Sequence, residues 1–201
     1  MITTQLENSQ SMDQLLSQLS VEGLITPELS RDIQDGRVKL MPTVEYVRAE
    51  ITAQSAGEIE LLKASQDEEI GLSTFNGQRL QNGHAVIGTG IMVRVGKTNA
   101  SDKIKEASLD TKLPGAVQGS HVIVKSDGKE VFNLPGSVFL ASGSNTTPED
   151  LMFRPELPVF LADGKKTEFK LEVPQGVTVP GDASNKYFIE VAIYGYKTVN
   201  R

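Results

Sequence analysis

The sequence predicts a mainly β protein, an antiparallel β-sandwich with an N-terminal helical arm, and three observations carry that prediction. Leu157 to Val173 (LPVFLADGKKTEFKLEV) holds two apolar-periodic runs about an Asp-Gly turn. Tyr187 to Val199 (YFIEVAIYGYKTV) is a long closing strand that follows a Pro/Gly-punctuated link. Near Gly36 the apolar period changes from helical to extended, and no long helical crossovers lie between the later strands, which argues against a parallel α/β sheet. The boundary divides an α-helical arm, residues 1–36, from a β body, residues 37–201.

In the arm, Met12, Leu15, Leu16 and Leu19 fall at i, i+3, i+4 and i+7, one stripe on a short amphipathic helix between Ser11 and Gly23. A second helix is better punctuated. Thr26 is its cap, Pro27 suits the first helical position, Glu28 complements the dipole, Leu29 and Ile33 face one way, and Gly36 closes it. Each helix is too short to be stable alone, so each stripe must be buried on the body or on another subunit.

In the body, Val38, Leu40, Val44, Tyr46 and Ile51 belong to an extended region interrupted by Pro42, and Glu58 to Lys63 and Ala85 to Val95 read as further strands. Asn76-Gly77 and Asn82-Gly83 are turn dipeptides. His121 to Leu134 (HVIVKSDGKEVFNL) is a hairpin turning at Asp127-Gly128. Ser137 to Ala141 is expected to be another strand, for roughly eight to ten in all, enough for two packed sheets. Thr98 to Gly119, with a short helix expected around Asp102 to Ser108, and the polar ASGSNTTP (Ala141 to Pro148) are long loops of the kind that cluster at sandwich ends and make contacts.

With 201 residues the chain can bury a core without staples. Cysteine is absent, which excludes disulfides, thiolate catalysis and cysteine-ligated zinc. The N-terminus lacks a basic region followed by an apolar one, and no apolar run is long enough to span a bilayer, so the expectation is a soluble protein made in the cytoplasm. Residues 1–36 carry six acids against Arg31 alone, so most of the net charge of −6 sits in the arm. Such an arm is poorly suited to gripping phosphates, and no specific nucleic-acid binding is expected.

Candidate chemistry is sparse. Gly90 to Thr98 (GIMVRVGKT) ends like a phosphate-binding loop, but five residues separate its glycines where that motif needs four, and most of them are strand formers. His84 and His121 have no histidine or carboxylate at ligand spacing, so no metal site or proton shuttle is predicted. Glu58 and Glu60 put two carboxylates on one strand face, as a glycosidase needs, yet tryptophan is absent and paired acids are ordinary on solvated faces. Asn99-Ala-Ser101 and Asn145-Thr-Thr147 match the glycosylation pattern by chance in polar loops. No catalytic, cofactor-binding or metal-binding residue is expected.

The helical arm, the antiparallel body and the closing ELPVFLADGKKTEFKLEVPQG to NKYFIEVAIYGYKT together resemble jelly-roll capsid proteins of bacterial viruses. The resemblance spans residues 37–201 by pattern. It implies a jelly-roll fold, single rather than double because a double roll needs a longer chain, in a penton, minor or major coat protein. It also implies a virion location and assembly with copies of itself and other coat proteins; an internal membrane or host surface stays open as a further partner. The arm, carrying Leu15, Leu16, Leu19, Leu24, Leu29 and Ile33, would then lie across a neighbour and bury apolar area. Two other classes remain: a carbohydrate- or host-binding β-sandwich of a phage fibre or appendage, and an enzyme of the cupin or lyase kind, which would need histidines or acids clustered on inner strands.

Overall fold

A computed structural model describes residues 25–80, 83–99, 101, 103–110, 112–140, 152–181 and 184–200. The predicted helix from Ser11 to Gly23, the arm residues Leu15, Leu16, Leu19 and Leu24, the second glycosylation match and the whole ASGSNTTP loop lie outside them. The protein is mainly β, with eight strands in two antiparallel sheets of four among the described residues.

Helix α1 (Pro27–Gln34) forms where the sequence signals put it. Thr26 Oγ1 accepts a hydrogen bond from the Leu29 amide at 3.2 Å, and Pro27 fills the first turn, where its missing N–H leaves no bond unmade. At the other end Gly36 takes φ 68°, and the Gly36 and Arg37 amides donate to the Ile33 and Asp32 carbonyls, a Schellman closure that favours glycine. The apolar side of α1 is covered by its own chain: Ile25, Leu29 and Ile33 pack with Val38, Leu40, Ile87 and Phe160.

The strands follow: β1 (Val38–Glu50), β2 (Ser55–Glu60), β3 (Val86–Asn99), β4 (His121–Ser126), β5 (Lys129–Pro135), β6 (Val159–Leu161), β7 (Thr167–Thr178) and β8 (Asn185–Asn200). One sheet runs β1-β8-β3-β6, the other β2-β7-β4-β5. The pairs β1·β8, β2·β7, β3·β6 and β4·β5 each join two strands whose numbers sum to nine; β3·β8 and β4·β7 complete the sheets.

One apolar core takes side chains from both sheets: Val47, Val93, Val191 and Ile193 from one, Val122, Val124, Phe169 and Leu171 from the other. Alternation along β3 is reset by a bulge between Gly88 and Gly90, so that Val86 and Ile91, although five positions apart, both reach this core. The Asp127-Gly128 turn has positive φ at both residues, 53° and 77°, the primed geometry that matches strand twist in a tight hairpin. Pro42 does not break β1, because β1 lies at the edge of its sheet and Pro42 needs no second ladder bond there.

Three expectations change, and one element is new. Ser137 to Phe139 are not a strand but part of a 3₁₀ turn, Gly136–Phe139, whose Phe139 enters the core. Gly136 lies so close to the Val117 carbonyl that a Cβ would collide with it, and its amide donates to Ser120 O at 2.7 Å, which bends the chain out of extended geometry. The helix expected around Asp102 to Ser108 is a 3₁₀ turn at Ile104–Glu106. Within the long loop a short helix, α2 (Gly115–Gln118), follows Pro114. Leu61 and Leu62, expected in a strand with Glu58, lie beyond the end of β2 and are buried in the core.

Candidate functional site

Apart from His84, each candidate of the sequence that lies among the described residues has an ordinary structural setting. Gly96, Lys97 and Thr98 run within β3 paired to β8, so this fragment is strand rather than phosphate cradle. His121 is exposed at the start of β4, with Nδ1 2.7 Å from Asn133 Oδ1. Glu58 is exposed and binds Lys170 Nζ at 2.9 Å, and Glu60 accepts from Gln78 Nε2. Lys170 also meets Glu168 at 3.2 Å, and Glu168 meets Lys166 at 2.6 Å. Through these contacts Lys170 holds the Glu58 carboxyl below the usual range, Lys166 does the same for Glu168, and Glu58 raises the Lys170 ammonium. The two predicted carboxylates thus belong to a charged face of the second sheet.

His84 is placed differently. It lines a cavity of about 120 Å³ with Glu45, Glu68, Arg79 and Lys197. Glu45 is buried, accepts from Thr43 Oγ1 at 2.6 Å, and has Lys197 Nζ at 3.3 Å. Sequence spacing could not find this group, since its members come from β1, β8 and the connection between β2 and β3. Among the described residues no three His, Cys, Asp or Glu side chains cluster as a metal site would require.

On the other face of the first sheet Glu190 is buried between two arginines. Arg48 Nε donates to Oε2 at 2.7 Å and Arg94 Nε to Oε1 at 2.9 Å, from the two strands that flank β8. Arg48 Nη1 also donates to Gly71 O at 3.2 Å, and the Gly71 amide donates to Tyr46 Oη at 2.9 Å, which ties a loop across this face. Beyond that loop the same face carries Pro42, Val44, Tyr194 and Tyr196, with Val44 40% exposed.

A groove of about 740 Å³ lies between α1 and the β4–β5 hairpin. Ile25, Pro27, Val131, Pro158 and Phe160 form its apolar lining, while Arg31 and Lys129 stand among its polar residues. It opens where both sheets end, since β5 and β6 are edge strands. Of the six arm residues, Leu29 and Ile33 are the described ones, and they pack on the body rather than projecting toward solvent.

The architecture is that of a mainly β protein whose prominent features are surfaces and a groove. The chain matches no protein-family model and no curated protein. Among the described residues no helix is long and apolar enough to cross a membrane.

Proposed function

We propose that this chain is a structural protein of a bacteriophage virion, a capsid subunit built as a single jelly roll that assembles through its β-sandwich body and its N-terminal arm. The pairing of each strand with the one whose number completes nine carries this reading. That pattern arises when one long antiparallel hairpin of eight strands is wrapped into two sheets, and β3·β8 and β4·β7 are the contacts that wrapping adds. A double Greek key, which viral coat, lectin and cupin domains use, has pairing of this kind, and that supports the reading. The interior favours a structural role among these. Inward positions that a cupin would give to histidines and acids are occupied by Val47, Val93, Val122, Phe169 and Val191.

Sedimentation velocity and electron microscopy of the full chain, alone and with other virion proteins, test the reading. Oligomers or particles are expected, together with the chain's presence among virion proteins. A chain that stays monomeric in every mixture and is missing from virions overturns it.

The strip of exposed Pro42 and Val44 beside half-buried Tyr194 and Tyr196 favours a second reading, a carbohydrate- or host-binding appendage, because tyrosine faces beside apolar side chains suit sugar rings and protein partners. Under that reading Y196A lowers binding to host cells while sedimentation is unchanged. Under the capsid reading cell binding does not depend on Tyr196.

A further inference from the structure

The groove between α1 and the β4–β5 hairpin has an apolar wall of Ile25, Pro27, Val131, Pro158 and Phe160, and the sequence carries a matching segment beside it. Ile25, the first described residue, forms part of the groove wall, and residues 1–24 precede it in sequence. That preceding chain holds the stripe Met12, Leu15, Leu16 and Leu19 and then Gly23, a helix-stopping residue two positions before the wall. Charge agrees with shape. Asp127 and Glu130 are matched by Lys165 and Lys125, whereas Arg31 and Lys129 have no ion-pair partner among the described residues. The incoming segment bears Glu7, Asp13 and Glu22 and no base. Six steps from Leu19 to Ile25 reach at most ~20 Å, enough to turn back along α1 but not to leave the groove's vicinity.

We propose that, in the unassembled subunit, residues 11–22 seat as an amphipathic helix in this groove of their own molecule, with Met12, Leu15, Leu16 and Leu19 on its apolar wall. The arm's partner before assembly is then its own subunit, and engaging a neighbour requires exchange out of the groove. The inference concerns the free subunit and does not rest on the virion reading.

Because the chain has no cysteine, introduced pairs report the seat without background. In the full-length protein, where the tether gives both arm positions the same millimolar effective concentration, L16C/V131C should close a disulfide within one molecule at least ~10-fold faster than S17C/V131C, because a seated helix turns Leu16 to the wall and Ser17 away from it. The rate should not change on dilution. L15C/A162C repeats the measurement from a second wall position in case V131C disturbs the hairpin. Equal rates for the L16C and S17C pairs overturn the proposal. A bridge between molecules that slows on dilution also overturns it, and assigns the segment to a neighbouring copy. A monomeric chain with fast L16C closure removes the assembly role and leaves the seat intact.

Discussion

The Glu190 carboxylate lies on the central strand β8 with Arg48 and Arg94 on either side, and its burial makes the arginines a condition of folding. Removing both in R48A/R94A leaves an uncompensated buried charge, and a loss of ~3–5 kcal/mol is expected in urea unfolding. E190Q keeps the shape and an acceptor while the partly exposed arginines regain water, so it should lose less, about 1–3 kcal/mol. If E190Q is as damaging as the double variant, the carboxylate's charge matters more than its solvation. Thr167 gives the opposite case. Its side chain is fully buried and Oγ1 has no hydrogen-bond partner among the described residues, so T167V, which keeps the shape and removes the hydroxyl, should hold stability or raise it by up to ~1 kcal/mol. Thermal melts that place T167V well below wild type would reveal a partner for that hydroxyl.

Elements are stabilised by what their two faces meet. Strand β8 is buried on both: Ile189, Val191 and Ile193 face the shared core, while Phe188, Glu190 and Ala192 are covered on the other side. V191D would bury an unpaired carboxylate at a cost of several kcal/mol against a total stability of about 5–15, so it should abolish folding, read as loss of the cooperative urea transition. Substituting the exposed His121 should leave that transition in place. The outer face of the second sheet behaves differently because its charges are solvated. Glu58 and Glu168 are held below the usual carboxylate range by Lys170 and Lys166 respectively. Their contribution is complete above the unfolded carboxylate range, near 4.3, and is lost as pH falls through their lowered folded values. Lys170 is raised, so its contribution is complete below the unfolded lysine value, near 10.4, and is lost as pH rises through the folded one. K170M should therefore lower stability most between these two limits and converge on wild type at both extremes, which flattens the profile. A profile of K170M parallel to that of wild type would remove this ion ladder from the acid and alkaline response.

For the whole molecule, sheet edges and the groove are where a partner can act. Edge strand β1 is guarded in two ways: Pro42 removes a donor from its free edge, and near Tyr46 to Arg48 the segment Leu72 to Thr74 supplies backbone and side-chain hydrogen bonds. The edge at β5 and β6 carries the groove instead. Because Leu29 is buried against sheet residues, a truncation meant to remove the arm while keeping α1 should end at residue 24. Deletion of residues 1–24 is expected to leave the urea midpoint within ~1 kcal/mol of wild type once lost groove contacts are counted, and to reduce self-association. Sedimentation of both forms checks this, and equal association by the two excludes the arm from assembly.

Features that depend on near neighbours in the chain were legible in the sequence. Thr26, Pro27 and Gly36 delimit α1 because capping satisfies amides and carbonyls within a few residues. Asp127-Gly128 makes the hairpin because only residues tolerant of positive φ suit that turn, and the alternation of β8 marks a core face wherever it is placed. Ser137 to Phe139 were misleading because a short apolar run has no period that separates a strand from a turn feeding one aromatic into the core. Strand pairing, the wall of the groove and the buried carboxylates Glu45 and Glu190 were decided by tertiary structure alone. Arg48 and Glu190 stand 142 residues apart, and Arg94 and Glu190 96 apart. No local propensity encodes such pairs, because which strands lie side by side is settled by burying both sheets' apolar faces at once.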